Sequence, residues 1–271
     1  MKSMKYLLAA VFGFAIVFGS WTNAYAQNEI TLLAPGPARA TIDKIVAQFQ
    51  AKTNYKVKVT YVNGVDTRQT VAKGKPLDVS LILAPFPGAI ASGTIDVSSA
   101  TPVASFLTAV AVPKGKPKPD ISTPAAVKKA LLTAKTIGYE DPDFTASGEG
   151  PVEALNKLGI ADQVAAKSKV MLGPAGQGIP AGLTEGTIST YTHLEKGDID
   201  IGMLFLSDMI PQKDKYDIIG VLPASICTPT AIVGFISNHA SDRAGAKALL
   251  QYLASPDAQA LFKEGGYEPH R

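Results

Sequence analysis

The sequence predicts an α/β protein of two lobes built on mixed, mostly parallel sheets, and three observations carry that reading. Short apolar runs alternate with helical patterns from Glu29 to Leu83 without hairpin signals, an order that winds into parallel sheets through right-handed crossovers. A second strand–helix series follows the polar turn Lys114–Pro119, and the last strand and two helices close the chain. At 271 residues, the chain is long enough for two modest cores.

The first residues read as a leader. Lys2 and Lys5 precede a short apolar run, Tyr6–Phe18, and Ala24-Tyr25-Ala26 supplies a small-residue cleavage site, so residues 1–26 are expected to be a signal peptide and the mature chain to begin at Gln27. The apolar run is too short to span a bilayer, and no cysteine follows it for lipid attachment. A soluble periplasmic protein is expected.

Glu29–Leu33 reads as a strand, broken by Ala34-Pro35-Gly36-Pro37. Ile42, Ile45, Val46 and Phe49 then fall at helical spacing. Tyr55–Tyr61 alternates apolar and polar residues as a half-buried strand does, a short helix enters at Asp66-Thr67, and Asp78–Leu83 is the continuous apolar run of a buried parallel strand. Phe106–Pro113 is read as a strand crossing into the second lobe, and Ser122-Thr123-Pro124 as a helix start. Strands are expected at Ile137–Tyr139, Val170–Leu172, Asp198–Leu206, Tyr216–Leu222 and Thr230–Ile236, the last returning to the first lobe. A helix is expected from Thr184 to Lys196, and Ser255-Pro256 caps the final one. Lobe 1 then holds residues 27–110 with 230–271, and lobe 2 holds 111–229.

The centre of interest is Thr136–Leu155. Strand, small-residue turn (Thr145-Ala146-Ser147-Gly148) and helix start follow one another there. The first amides of a helix lack partners within it and its start is partly positive, so Thr145, Ser147 and Gly148 make a seat for an anion. The same residues would serve equally as a plain helix cap. Gly176-Gln177-Gly178 has no following Lys-Ser/Thr and is not a nucleotide-phosphate loop.

Composition excludes several classes. Without Lys2 and Lys5 the basic and acidic side chains nearly balance, which speaks against a nucleic-acid partner. Cys227 is the only cysteine and no internal disulfide can form; it reads as a buried small residue. No metal-ligand spacing and no cofactor motif is present, and His193, His239 and His270 are far apart in sequence.

The order and spacing of five stretches resemble the periplasmic type II solute-binding proteins, most closely the molybdate-binding branch. They are Lys73-Gly74-Lys75-Pro76-Leu77-Asp78-Val79; Tyr139-Glu140-Asp141-Pro142 with Glu153–Gly159; Glu195–Gly202; Leu206-Ser207-Asp208; and Ala254–Gln259. The resemblance implies two α/β lobes joined by two crossing strands, a small anion held in the cleft between them, delivery to an ATP-driven importer, and a monomer. Its usual oxyanion donors are altered here. The first-loop serine falls on Pro37, the second loop reads Asn63-Gly64-Val65-Asp66, and the tyrosine position falls on Phe205, whereas Ser147 and Gly148 match the second-lobe turn and Thr187 lies near another contact.

Arg39 and Arg68 stand just after the two altered loops. A guanidinium fork matches a carboxylate bidentately, so a di- or tricarboxylate is the expected ligand ahead of molybdate or tungstate, with Arg39, Arg68, Thr145, Ser147, Gly148 and Thr187 as binding residues and Phe205 as an apolar wall. Pairing of the two arginines with nearby acids on a solvated face is the alternative. A second function class stays open. Periplasmic aconitate isomerases are similar to molybdate-binding proteins, and a cofactor-free allylic proton shift needs one base, for which Asp66, Glu149, Glu185 and His193 are the candidates.

Overall fold

The computed structural model describes residues 29–172 and 189–270. The expected signal peptide, the Gly173–Gly178 passage, Glu185 and Thr187 lie outside the described residues, as does the start of the helix expected from Thr184.

The chain opens with β1 (Glu29–Pro35), α1 (Arg39–Lys52), β2 (Lys56–Val62), α2 (Gly64–Ala72) and β3 (Val79–Leu83). Both β2 and β3 pair parallel with β1, as the strand–helix alternation requires. After α3 (Pro87–Ala91) comes β4 (Ile95–Phe106), which leads through Leu107 into β5 (Thr108–Pro113). The expected single strand Phe106–Pro113 is therefore two, and it divides between the two sheets. The stretch Ser98–Pro102 gives β4 no apolar alternation, and a proline argues against a strand interior, so sequence pattern carries no sign of it.

The second series is α4 (Pro124–Thr133), β6 (Ile137–Glu140), α5 (Glu149–Lys157), α6 (Ala161–Val164), β7 (Ser168–Met171), α7 (Thr190–Lys196), β8 (Ile201–Phe205), α8 (Leu206–Met209) and β9 (Tyr216–Val221). β8 is shorter than the expected Asp198–Leu206. Asp198 closes the end of α7 through its amide, and the Asp200 carboxylate accepts from the amides of Lys135 and Thr136, so neither continues the strand. The chain returns through β10 (Thr230–Ser237), α9 (Arg243–Leu253), α10 (Pro256–Glu264) and β11 (Tyr267–Pro269). β11, too short to show a pattern, is an addition to the sequence reading. Ser255 caps α10 by accepting from the Ala258 amide, and Thr123 caps α4 likewise.

The result is two sheets, β11-β4-β10-β3-β1-β2 and β7-β6-β8-β5-β9. Both are mixed rather than mostly parallel as expected: β10 runs antiparallel to β3 and β4, β11 antiparallel to β4, and β5 antiparallel to β8 and β9, because the strands that link the lobes and close the chain enter each sheet in the reverse direction. Each sheet has its own core, the first around Leu32, Leu81 and Phe49, the second around Val110, Leu131 and Met203. The first core reaches across to the second sheet. Phe205, at the end of β8, stacks on Phe106 with ring centroids 4.4 Å apart, and Ala146 packs into the same cluster. Such a stack contributes about 0.5–1.5 kcal/mol beyond the area it buries. It fixes the ends of β6 and β8 against the first sheet, where the cleft opens.

Candidate ligand-binding cleft

A cleft of about 700 Å³ lies between the two sheets. The first lobe lines it with the turn after β1 (Gly36, Pro37), the first turns of α1 (Arg39, Ala40, Asp43) and Asn63. Across from them stand Glu140 at the end of β6, the turn Thr145-Ala146-Ser147, the start of α7 (Ser189, Tyr191, Thr192) and α8 with Ser207 and Asp208. Gln212, Glu195 and Lys215 complete one side. These groups cluster just beyond the carboxyl ends of β1, β6 and β8, the place where open α/β sheets hold ligands.

At the rim, the Arg39 guanidinium carbon lies 4.0 Å from the centre of the Tyr61 ring, and Tyr61 donates its hydroxyl to Asp43 Oδ1 at 2.5 Å. The stack holds an exposed cation at the edge of the cleft for about 0.5–1 kcal/mol. Asn63 Nδ2 donates to the Phe144 carbonyl and so ties the second loop of the first lobe to the turn opposite.

The second-lobe wall is acidic, with Glu140 buried and Asp208 half-buried. Glu140 is 3 % exposed; its Oε2 accepts from Ser147 Oγ, while Oε1 has no partner among the described residues. Burial pushes its carboxyl upward against the hydrogen bonds from Ser147 and Thr145, which pull it down. Asp208 is driven up to about 8, first by burial and then by the Glu140 charge, and hydrogen bonding to Tyr191 opposes the shift only in part. Burial and the Asp208 charge hold the Tyr191 phenol neutral. Ser207 Oγ, in the same wall, is buried.

The structure brings together only part of the expected site. Arg39, Thr145 and Ser147 line the cleft. Gly148 does not; its role is close packing. A Cβ there would stand 2.1 Å from the Glu140 carbonyl oxygen and 2.6 Å from the Pro142 nitrogen, so only glycine lets the turn lie against the strand end. Arg68 is also away from the lining. Its Nη1 and Nη2 meet the Glu149 carboxylate at 2.8 and 3.2 Å, while Nε and Nη2 donate to the carbonyls of Leu83 and Ala84. Arg68 belongs to α2 and Glu149 to the start of α5, so this pair spans the two lobes. Phe205 is fully buried in its stack and presents no wall to the cleft. Of the proposed bases, Glu149 is engaged by Arg68, Asp66 sits in the first turn of α2 outside the lining, and His193 Nδ1 lies 3.1 Å from Asp198 Oδ2 at the far end of α7.

Glu140 and Asp208 are absent from the sequence-predicted site. Both stand inside stretches that carry the family resemblance, Glu140 as the last residue of β6 and Asp208 in the turn of helix after β8, and a place at a strand's carboxyl end is the positional signal that marks them. Sequence could not give their burial.

Residues 30–268 match the family of bacterial extracellular solute-binding proteins. The chain is 27 % identical over 255 residues to an aconitate isomerase of Pseudomonas sp, covering 91 % of this chain and 90 % of that one. It is 23 % identical over 263 residues to the molybdate-binding protein ModA of Escherichia coli strain K12, covering 94 % and 95 %. Among solved structures, the substrate-binding domain of a putative molybdenum ABC transporter from Clostridium difficile superposes with a TM-score of 0.72 at 17 % identity, over 90 % of this chain and 99 % of that one.

Proposed function

The chain belongs to the bacterial extracellular solute-binding protein family and has the two-lobed fold of type II periplasmic binding proteins, and from that premise we propose that its cleft captures a small organic acid carrying two or three carboxylates. The observation that carries the proposal is the pairing of size with charge placement. About 700 Å³ is room for roughly twenty waters, far more than a tetrahedral oxyanion fills, and Arg39 stands in its first-lobe lining as a cation for a carboxylate. A ligand long enough to meet Arg39 and the second-lobe wall together makes contacts to both lobes, and such contacts are what drive such a protein closed. The lobes are taken as residues 27–110 with 230–271 and residues 111–229. A leader cleaved after Ala26 delivers the chain to the periplasm, where a membrane importer receives the captured acid. Calorimetric titration of the mature protein with citrate, trans-aconitate, sulfate and molybdate tests the ligand class. Tight binding of molybdate with none of either tricarboxylate would reject it.

A second reading is favoured by the second-lobe wall of the cleft. Two carboxyls with raised proton affinity beside a tricarboxylate are the equipment of an acid–base proton shift, and one relative is an aconitate isomerase. In that reading Glu140 or Asp208 takes a proton from the substrate methylene and the allylic system is reprotonated at the other end. Incubating the protein with trans-aconitate and following the cis isomer separates the two. Turnover makes the protein an isomerase; an acid bound and recovered unchanged leaves it a binder.

A further inference from the structure

The two lobes present unequal charge to the cleft. Among the described residues its lining holds four acids, Asp43, Glu140, Glu195 and Asp208, and two cations, Arg39 and Lys215. Arg39 belongs to the first lobe. A carboxylate that reaches the second-lobe wall therefore meets Glu140, Asp208 and Glu195, and Lys215 is the one cation described on that side. Lys215 stands just before β9 and Glu195 in the last turn of α7, and their side chains pair at 3.1 Å from Nζ to Oε2. Buried neighbours fix both backbones. Tyr216 and Leu194, which adjoin them in the chain, are fully buried in one apolar cluster with Met209, and the Lys215 amide donates to the Gln212 carbonyl. The side chains themselves are loosely held. They are 49 % and 48 % exposed, and among the described residues each is the other's only ion-pair partner.

A pair this exposed is weak: screening and lost side-chain freedom leave it no more than about fivefold in favour of contact. A ligand carboxylate has the advantage over Glu195, because water leaves as the lobes close and a charged hydrogen bond made there adds at least about tenfold. The four-carbon stem of lysine lets the ammonium turn from one acceptor to the other while the backbone stays in place. We propose that Lys215 is the second-lobe anchor for a carboxylate of the bound organic acid, and that Glu195 is its exchangeable counter-ion, displaced when the ligand arrives. The inference rests on the organic-acid reading above and names the residue that completes it. Arg39 takes one carboxylate from the first lobe and Lys215 takes another from the second, so acids charged at two ends are selected over monocarboxylates, which reach one anchor alone. Glu195 weakens every capture by the strength of the contact it gives up, and so sets the affinity of the site more than its specificity.

Calorimetry with tricarballylate, a saturated tricarboxylate that no allylic shift can consume, tests this on wild type, Lys215→Met, Glu195→Gln and the double variant. Lys215→Met keeps the apolar stem and removes the charge, and should weaken binding at least about tenfold. Glu195→Gln should tighten it about two- to fivefold, the strength of the contact that no longer competes. The double variant decides the mechanism. If Glu195 acts through Lys215, its substitution has no effect once the lysine is gone, and the double variant binds as Lys215→Met does. A general repulsion between Glu195 and the anion would leave the same gain in both backgrounds. Both side chains are half-exposed, so all four proteins should melt within a few degrees of one another, which checks that each is folded. Wild-type affinity in a folded Lys215→Met protein, a Glu195→Gln protein that binds no tighter, or a gain that persists in the double variant overturns the proposal and leaves the organic-acid reading standing. Failure of tricarballylate, citrate and trans-aconitate all to bind wild type overturns the organic-acid reading and this assignment with it.

Discussion

The Arg68–Glu149 pair gives the sharpest check on how the lobes are joined. Arg68 makes two contacts to the Glu149 carboxylate, at 2.8 and 3.2 Å, and two to main-chain carbonyls, at 2.9 Å to Leu83 and 2.6 Å to Ala84. The side chains are 19 % and 31 % exposed, so solvent screens the pair and its contribution is set at about 1 kcal/mol. Each carbonyl bond adds about 1 kcal/mol net. Arg68→Ala should therefore cost about 3 kcal/mol, Glu149→Ala about 1 kcal/mol, and the double variant about 3 kcal/mol, a coupling energy near 1 kcal/mol. Urea unfolding of the four proteins, compared at constant m, measures it. Ligand titration adds a second readout. A strut between lobes makes either single variant change affinity by the same factor, because both release the same link. An arginine that grips ligand makes only Arg68→Ala matter. Additive stability losses together with an affinity loss confined to Arg68→Ala would refute the structural role argued above.

Three further outcomes follow from the cleft. Arg39→Ala should weaken tricarboxylate binding at least about tenfold at low salt and by less at high salt, because the rim cation is exposed and screened; calorimetry at two ionic strengths measures the difference, and equal losses at both would contradict a screened charge. Gly148→Ala should lower stability by about 3 kcal/mol or more, since its Cβ meets backbone that cannot step aside, and should move Ser147 off Glu140; an unchanged denaturation midpoint would show that the turn is not held against β6. For Asp208 the folded carboxyl sits near 8 against an unfolded value of 3.8, so between those values the native state binds the extra proton and stability falls as pH rises. Melting temperature should drop from about pH 5 to about pH 8 in wild type, and Asp208→Asn should flatten that slope and be the more stable protein at the upper end. A wild-type melting temperature that rises over this range would reverse the assignment.

The sequence by itself determined the alternating elements, the parallel crossovers, the helix caps and the position of the turn at Thr145–Gly148. Those features are local: the spacing of Ile42, Ile45 and Phe49 dictates one helix face, and Ser255-Pro256 starts a helix whatever surrounds it. Sequence also placed Arg39, Thr145 and Ser147 beside strand ends, where a cleft must open if the sheets are open. Tertiary structure alone decided what each group faces. Arg39 and Arg68 look alike in sequence, each in the first turns after a first-lobe loop, yet one stands at the cleft rim and the other is taken up by Glu149 from a segment 81 residues away. Phe205 and Phe106 meet because β4 runs on through Leu107 into β5, whose Thr108 pairs with Phe205 of β8. Glu140 and Asp208 are ordinary acids in the chain; burial side by side is what raises their proton affinity, and burial is a property of everything packed around a residue, which no single stretch of sequence contains.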